Sequence, residues 1–284
     1  MANPNYSKVQ QPHINVIASE RKVQKITLSC LSIEVQSDIP FDLCFPNIGF
    51  ITLNFLNGEN LMIKVDHYQS EETNGSPIYI NGLLSKKPSK ANFCGKGNLN
   101  IAKIHPVVGY HFLKENMTEV TNQHLLLREV LANKSNFVRS LRKEEKNRTF
   151  DGKWMDELFM HNLSDWNIVK QDRIYHVVNR IIKSRGKVKI SQLADEFCMS
   201  ERSLNRQFLM KVGISPKAYA KIWRWQHVSE ILNQSPSVNL NDIAYLAGYY
   251  DIPHLLHDFQ ERFNVTPYQF QELITYLIDD YLDN

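Results

Sequence analysis

One pattern recurs in the C-terminal hundred residues and limits what they can become. In Ile190-Ser191-Gln192-Leu193-Ala194-Asp195-Glu196-Phe197, the residues Leu193, Ala194 and Phe197 share one face of a short helix. A tight break follows, and Ser200 is a good N-cap for a second helix from Glu201 to Phe208, with Leu204 and Phe208 inward. The arrangement returns in Leu240–Tyr249, where Ile243, Ala244 and Ala247 face inward and Gly248 marks the turn. Asp251 can then cap a helix that opens Ile252-Pro253-His254, with Pro253 tolerated in the first turn. There Leu255 and Phe259 repeat the Leu204/Phe208 spacing 51 residues later. Two short helices joined by a tight turn, written twice, form two helix-turn-helix units.

The outward faces differ. In the first unit Arg202, Ser203, Asn205 and Arg206 lie near the N-terminus of the second helix, opposite its core face. A helix of this kind fits a major groove roughly 12 Å wide, where Arg bonds guanine and Asn bonds adenine. The matching face of the second unit offers Ile252, Pro253, His254 and His257. Between the units, Ser215-Pro216 begins a helix through Leu232, roughly 25 Å long at 1.5 Å per residue. Such a rod could hold two reading helices against successive major-groove faces, about 34 Å apart. The partner expected is double-stranded DNA.

The first 119 residues have another texture. Asn57-Gly58, Asn74-Gly75 and Asn81-Gly82 are turn dipeptides. Phe50–Leu56 and Leu61–Val65 flank the first of them and are expected to pair as a hairpin. Apolar runs at Ile26–Val35, Ile78–Leu84 and Leu99–Ile104 would add strands to a sandwich or small barrel. Residues 120–164 read as a helical linker and a candidate dimerisation segment. Leu125, Leu126, Leu127, Val130 and Leu131 recur at helical spacing, followed by Phe137, Val138 and Leu141 and by Leu158, Phe159 and Leu163. Arg142–Arg148 is a charge run, read as a solvated helix end or loop. From Trp166 a stripe of Val169, Ile174, Val177, Val178, Ile181 and Ile182 runs to Gly186. Residues 165–275 are expected to fold by themselves as an all-helical DNA-binding unit, and 276–284 form an acidic tail with three Asp.

The formal net charge of +3 suits a nucleic-acid binder with few phosphate contacts, but it suits many enzymes equally. Cys30, Cys44, Cys94 and Cys198 are widely spaced and are expected to be free thiols. With no signal-peptide pattern and no apolar run near the roughly 20 residues that span a bilayer, a soluble cytoplasmic protein away from membranes is expected. Catalysis finds little support. His13, His67, His105, His111 and His124 make no His-x-His pair with a Glu, so no metal site is expected. Cys44 and Cys94 lack the context of an alkyl-accepting thiol. Gly95-Lys96-Gly97 is too short for a nucleotide loop, and no cofactor is expected.

A longer set of residues carries a resemblance. Leu193-Ala194, Ser200, Leu204-x-Arg206-x-Phe208, Gly213-Ile214-Ser215-Pro216-x-x-Tyr219, Arg224, Leu232, Ile243-Ala244, Gly248-Tyr249, Phe259 and Phe263-x-Val265-Thr266-Pro267 follow one another over about 85 residues. This series closely resembles the AraC-type regulators. Phe45-Pro46-Asn47, Gly82-Leu83-Leu84 with Lys87-Pro88, and Ile104-His105-Pro106-x-x-Gly109-Tyr110 are similar to the N-terminal sensing region of one subgroup.

The resemblance implies an α+β two-domain chain: an N-terminal β-rich, cupin-like domain and a C-terminal all-α domain with two helix-turn-helix units. It implies a transcription regulator, such as an activator, controlled by a small-molecule effector in an apolar cavity of the N-terminal domain. RNA polymerase is an implied partner, and the chain would act as a monomer or homodimer. Carried over by position, the base-reading places fall on Arg202, Asn205 and Arg206, and on Ile252, Pro253 and His257. The second set lacks the family's usual polar group and Arg, and Gln260 stands where Lys is usual. Unit one is therefore expected to read sequence, and unit two to touch backbone or thymine methyls weakly. The rival reading is a protein-interaction adaptor whose helical half has lost specific DNA binding.

Overall fold

A computed structural model describes residues 13–17, 27–45, 49–58, 62–65, 68–69, 77–84, 89–131, 166–263 and 266–269. The helices expected at 137–141 and 158–163, the charge run at 142–148 and the acidic tail lie outside them.

Among the described residues the N-terminal half is an eight-stranded sheet of β1 (His13–Ile17), β2 (Thr27–Phe45), β3 (Ile51–Asn57), β4 (Met62–Val65), β5 (Tyr68–Gln69), β6 (Ile78–Asn81), β7 (Ser89–Ile104) and β8 (His124–Leu126). Six of them lie in the order β1-β2-β7-β3-β6-β8, β4 pairs with β7 and β5, and all the pairs are antiparallel. The two long strands β2 and β7 form its spine. Along β3 six consecutive residues are buried, where a one-sided sheet would alternate. Both faces are covered. Ile51, Leu53 and Phe55 share one face with Ile78, Ile80, Ala102 and Ile104. The other carries Leu56, Leu99 and Ile101 with the buried polar residues Thr52, Asn54 and Lys103. Burial pushes the Lys103 ammonium down to about 8.

Two expectations are corrected. Asn57-Gly58 does not close a hairpin between β3 and β4. Both strands lie along β7, β3 against residues 98–104 and β4 against residues 91–94. Gly58 is therefore at a bend in a continuing run. There it crosses Gly97 so closely that a Cβ would stand 2.4 Å from the Lys96 carbonyl oxygen. Likewise, Leu125 and Leu126 are not helical: with His124 they extend the sheet as β8 beside β6. The helix α2 begins only at Leu127 and ends at Val130.

After β7 the chain turns into α1 (Pro106–Leu113), whose N-cap His105 accepts the Val107 amide at Nδ1. Val107, Val108, Phe112 and Leu113 are buried against the sheet face described first. The described residues from 166 onward form α3 (Trp166–Gln171), α4 (Arg173–Lys183), α5 (Ile190–Glu196), α6 (Glu201–Val212), α7 (Pro216–Gln234), α8 (Leu240–Ala247) and α9 (Ile252–Phe263). Of the expected stripe, Val169, Ile174, Val177, Val178 and Ile181 are fully buried, and Trp166 and Ile182 are half-buried against them.

That core does not stop at the expected boundary near residue 165. One hydrophobic cluster runs from Ile51 and Phe112 through Val177 and Phe208 to Phe259. Polar contacts cross the same seam. The Tyr219 hydroxyl donates to the Gly49 carbonyl at 2.8 Å, and Phe50 meets Trp223 edge-on at 5.4 Å. The Met117 amide donates to the Met210 carbonyl at 2.9 Å.

Cys94 is half-buried and Cys198 exposed, both free. Cys30 and Cys44 sit on β2. No helix among the described residues is long and apolar enough to cross a membrane.

Candidate nucleic-acid interface

The two units are built alike to the level of single hydrogen bonds. In the first, α5 ends at a turn where Cys198 takes a left-handed conformation (φ 51°) and the Met199 amide returns to the Ala194 carbonyl at 2.9 Å. In the second, Gly248 takes that place (φ 75°) and the Tyr249 amide returns to the Ala244 carbonyl at 2.8 Å. Leu193, Ala194, Leu204 and Phe208 pack inside unit one; Ile243, Ala244, Leu255 and Phe259 do so in unit two.

Each second helix is capped. Ser200 Oγ accepts the Ser203 amide at 3.2 Å, and Asp251 Oδ1 accepts the His254 amide at 2.8 Å. The turns differ in length, since one residue separates Cys198 from Ser200 and two separate Gly248 from Asp251. The added residue is Tyr250, 93% exposed. Sequence reasoning missed it, although the shift in repeat offset from 50 at the turn to 51 at the cap was there to find.

On α6, Arg202, Asn205 and Arg206 are exposed together on one side, with Ser203 half-buried beside them. Asn205 Nδ2 donates to the Glu201 carbonyl at 3.0 Å, which occupies one of its amide hydrogens. Ser203 Oγ accepts from Gln207 Nε2 at 3.2 Å. The exposed face thus carries two guanidinium groups near a helix N-terminus, a chemistry suited to phosphates and base edges. On α9, Pro253, His254 and His257 are exposed and Ile252 half-buried. This face bears no permanent cation at the positions carried over from the family, and the His254 ring meets Tyr249 edge-on at 5.3 Å.

Buried carboxylates hold each second helix in place, and neither was singled out from the sequence. Asp258, 1% exposed, accepts Lys221 Nζ at 2.6 Å, Trp225 Nε1 at 3.0 Å and the Tyr249 hydroxyl at 3.1 Å. This network ties α9 to α7. Asp172 caps α4 by accepting the Ile174 amide at 2.9 Å on Oδ1. Its Oδ2 accepts Lys211 Nζ of α6 at 2.6 Å and His111 Nε2 of α1 at 2.9 Å. Burial would raise the Asp172 pKa, but the bonds from His111 and Lys211, the lysine charge and the Ile174 amide outweigh it and hold the pKa below its ordinary value. Among the described residues no group of His, Cys, Asp or Glu could hold a metal ion.

Residues 193–272 match the model of a helix-turn-helix domain. Over 75 residues the chain is 35% identical to the HTH-type transcriptional activator RhaS of Escherichia coli O1:K1 / APEC, and 33% identical to RhaS of Escherichia coli O9:H4 (strain HS). Each span is 26% of this chain and 27% of the relative, so the chain spans about a quarter of the length of the curated relatives it matches. ToxT from Vibrio cholerae aligns with a TM-score of 0.44 at 11% identity, over 88% of this chain and 99% of that one.

Proposed function

We propose that this chain, whose residues 193–272 match a helix-turn-helix domain, is a sequence-specific DNA-binding transcription regulator of the AraC type. The observation that carries the reading is the exposed Arg202, Asn205 and Arg206 face, displayed on a capped helix in a unit whose turn geometry is repeated 50 residues later. The named relatives are activators, which favours activation through contact with RNA polymerase. Residues 165–275 are the DNA-binding part, 120–164 the linker with a dimerisation role, and 1–119 the regulatory part. A small-molecule effector in the sheet domain is favoured by Asn54, whose buried Oδ1 has no hydrogen-bond partner among the described residues.

The test is electrophoretic mobility with promoter fragments recovered by genome-wide immunoprecipitation, run at two salt concentrations. A regulator shifts selected fragments in preference to shuffled ones at both, with affinity falling as salt rises. Binding that ignores sequence, or no binding, would instead favour the protein-interaction adaptor.

A further inference from the structure

We infer that Asp172 is the joint through which the N-terminal sheet domain sets the position of the first reading helix, with His111 as the sheet domain's hold on it. This rests on the regulator reading for its consequence, though not for its geometry.

The joint gathers three elements onto one carboxylate. Oδ1 is spent on the N-terminus of α4 through the Ile174 amide. Oδ2 receives Lys211, one residue from the end of α6, and His111, two residues from the end of α1. The carboxylate side chain is 5% exposed, against 15% for Lys211 and 19% for His111. Bonds to a buried ion of this kind are strong because water offers little competition.

Neighbouring contacts run in the same direction. Lys211 Nζ stands 5.8 Å over the Tyr110 ring of α1, and the His105 ring lies 4.5 Å from that of Tyr175 on α4. The Met117 amide takes the Met210 carbonyl near the end of α6, where the helix has no amide of its own to offer. The C-terminal end of α6 is thus finished by residues of the N-terminal half.

The second unit is arranged otherwise. Asp258 does for α9 what Asp172 does for α6, yet its partners among the described residues, Lys221, Trp225 and Tyr249, all belong to the helical half. A displacement of α1 therefore reaches α6 directly, whereas the contacts of α9 among the described residues run to α7 and α8, one step further from the sheet domain. The unit with the two guanidinium groups is the one under the sheet domain's hold.

Three full-chain variants test this. In Asp172→Asn the helix cap survives, because an asparagine oxygen also accepts the Ile174 amide. Its Nδ2, however, turns a donor toward Lys211 and His111, both donors themselves. His111→Ala removes only the sheet domain's arm, and His111→Gln restores an N–H at about the same reach. Amide hydrogen exchange is followed in 201–212 and 252–263 without DNA, and affinity is then measured for each half of a footprinted operator.

Asp172→Asn and His111→Ala are expected to speed exchange in 201–212, leave 252–263 unchanged, and weaken the half read by α6 roughly tenfold. His111→Gln should behave as the parent. Unchanged exchange in 201–212, equal acceleration in 252–263, or a His111→Gln variant as impaired as His111→Ala would overturn the joint. Selective exchange in a chain that ignores DNA sequence would uphold the joint and remove the regulator reading.

Discussion

Arg206 and His257 occupy the same place in the two units, both exposed, one a permanent cation and the other an imidazole. Arg206→Ala is expected to cost about 1–3 kcal/mol of discrimination at one base position. His257→Ala should cost less, because a neutral imidazole offers one donor and no charge. Affinities of both variants for a mapped operator at fixed salt check this, and equal losses would count against it. A second expectation concerns His105. Burial drives its pKa from 6.5 to about 3 despite the opposing charge of Asp172. Between those values the unfolded chain binds a proton that the folded chain refuses. The stability tied to neutral His105 is thus complete above pH 6.5 and drains away as pH falls toward 3, by about 1.4 kcal/mol per pH unit well inside the window. His105→Asn keeps an acceptor for the Val107 amide, so its unfolding free energy should fall less steeply from pH 6.5 to 4 than the parent's; identical slopes would refute the assignment. The reading face was legible in the sequence because it is local, with Leu204 and Phe208 fixing which way Arg202 and Arg206 point. Asp172 was not, because the residues that give it meaning lie 61 and 39 positions away.

Elements with their own periodicity and caps were read correctly: the paired short helices, the scaffold helix from Pro216, and the strands within β2, β6 and β7. Elements whose identity depends on a neighbour were not. Asn57-Gly58 has hairpin chemistry, but β7 is long enough to take β3 and β4 end to end, and that offer outweighs a local turn preference. His124–Leu126 becomes a strand because β6 presents an open edge to it. At the end of α6, Gly213 combines φ +91° with a site where a Cβ would lie 2.0 Å from Thr121 Oγ1 and 2.6 Å from the Met117 carbonyl oxygen. Gly213→Ala must bear the left-handed penalty and also force the two halves apart, a loss of at least about 2 kcal/mol. Chemical denaturation of the full chain measures it; a loss under about 1 kcal/mol would mean that the seam yields without cost.

For the molecule as a whole, the β-rich half and the helical half expected from the sequence are both present, and the packing adds a core that runs across the seam between them. Nothing local announces such a core, since each half has an amphipathic pattern that is self-consistent alone. The bond from Tyr219 to Gly49 makes the point at its longest range, closing a loop of 170 residues. A ribosome adding about 5–20 residues per second needs on the order of 10–30 seconds to supply that partner. Throughout that interval the apolar face of α1 and its sheet must wait for helices that have not yet been made. The newborn chain therefore passes through a stage in which its first half is complete in sequence but uncovered, the stage at which a chaperone would find most to hold.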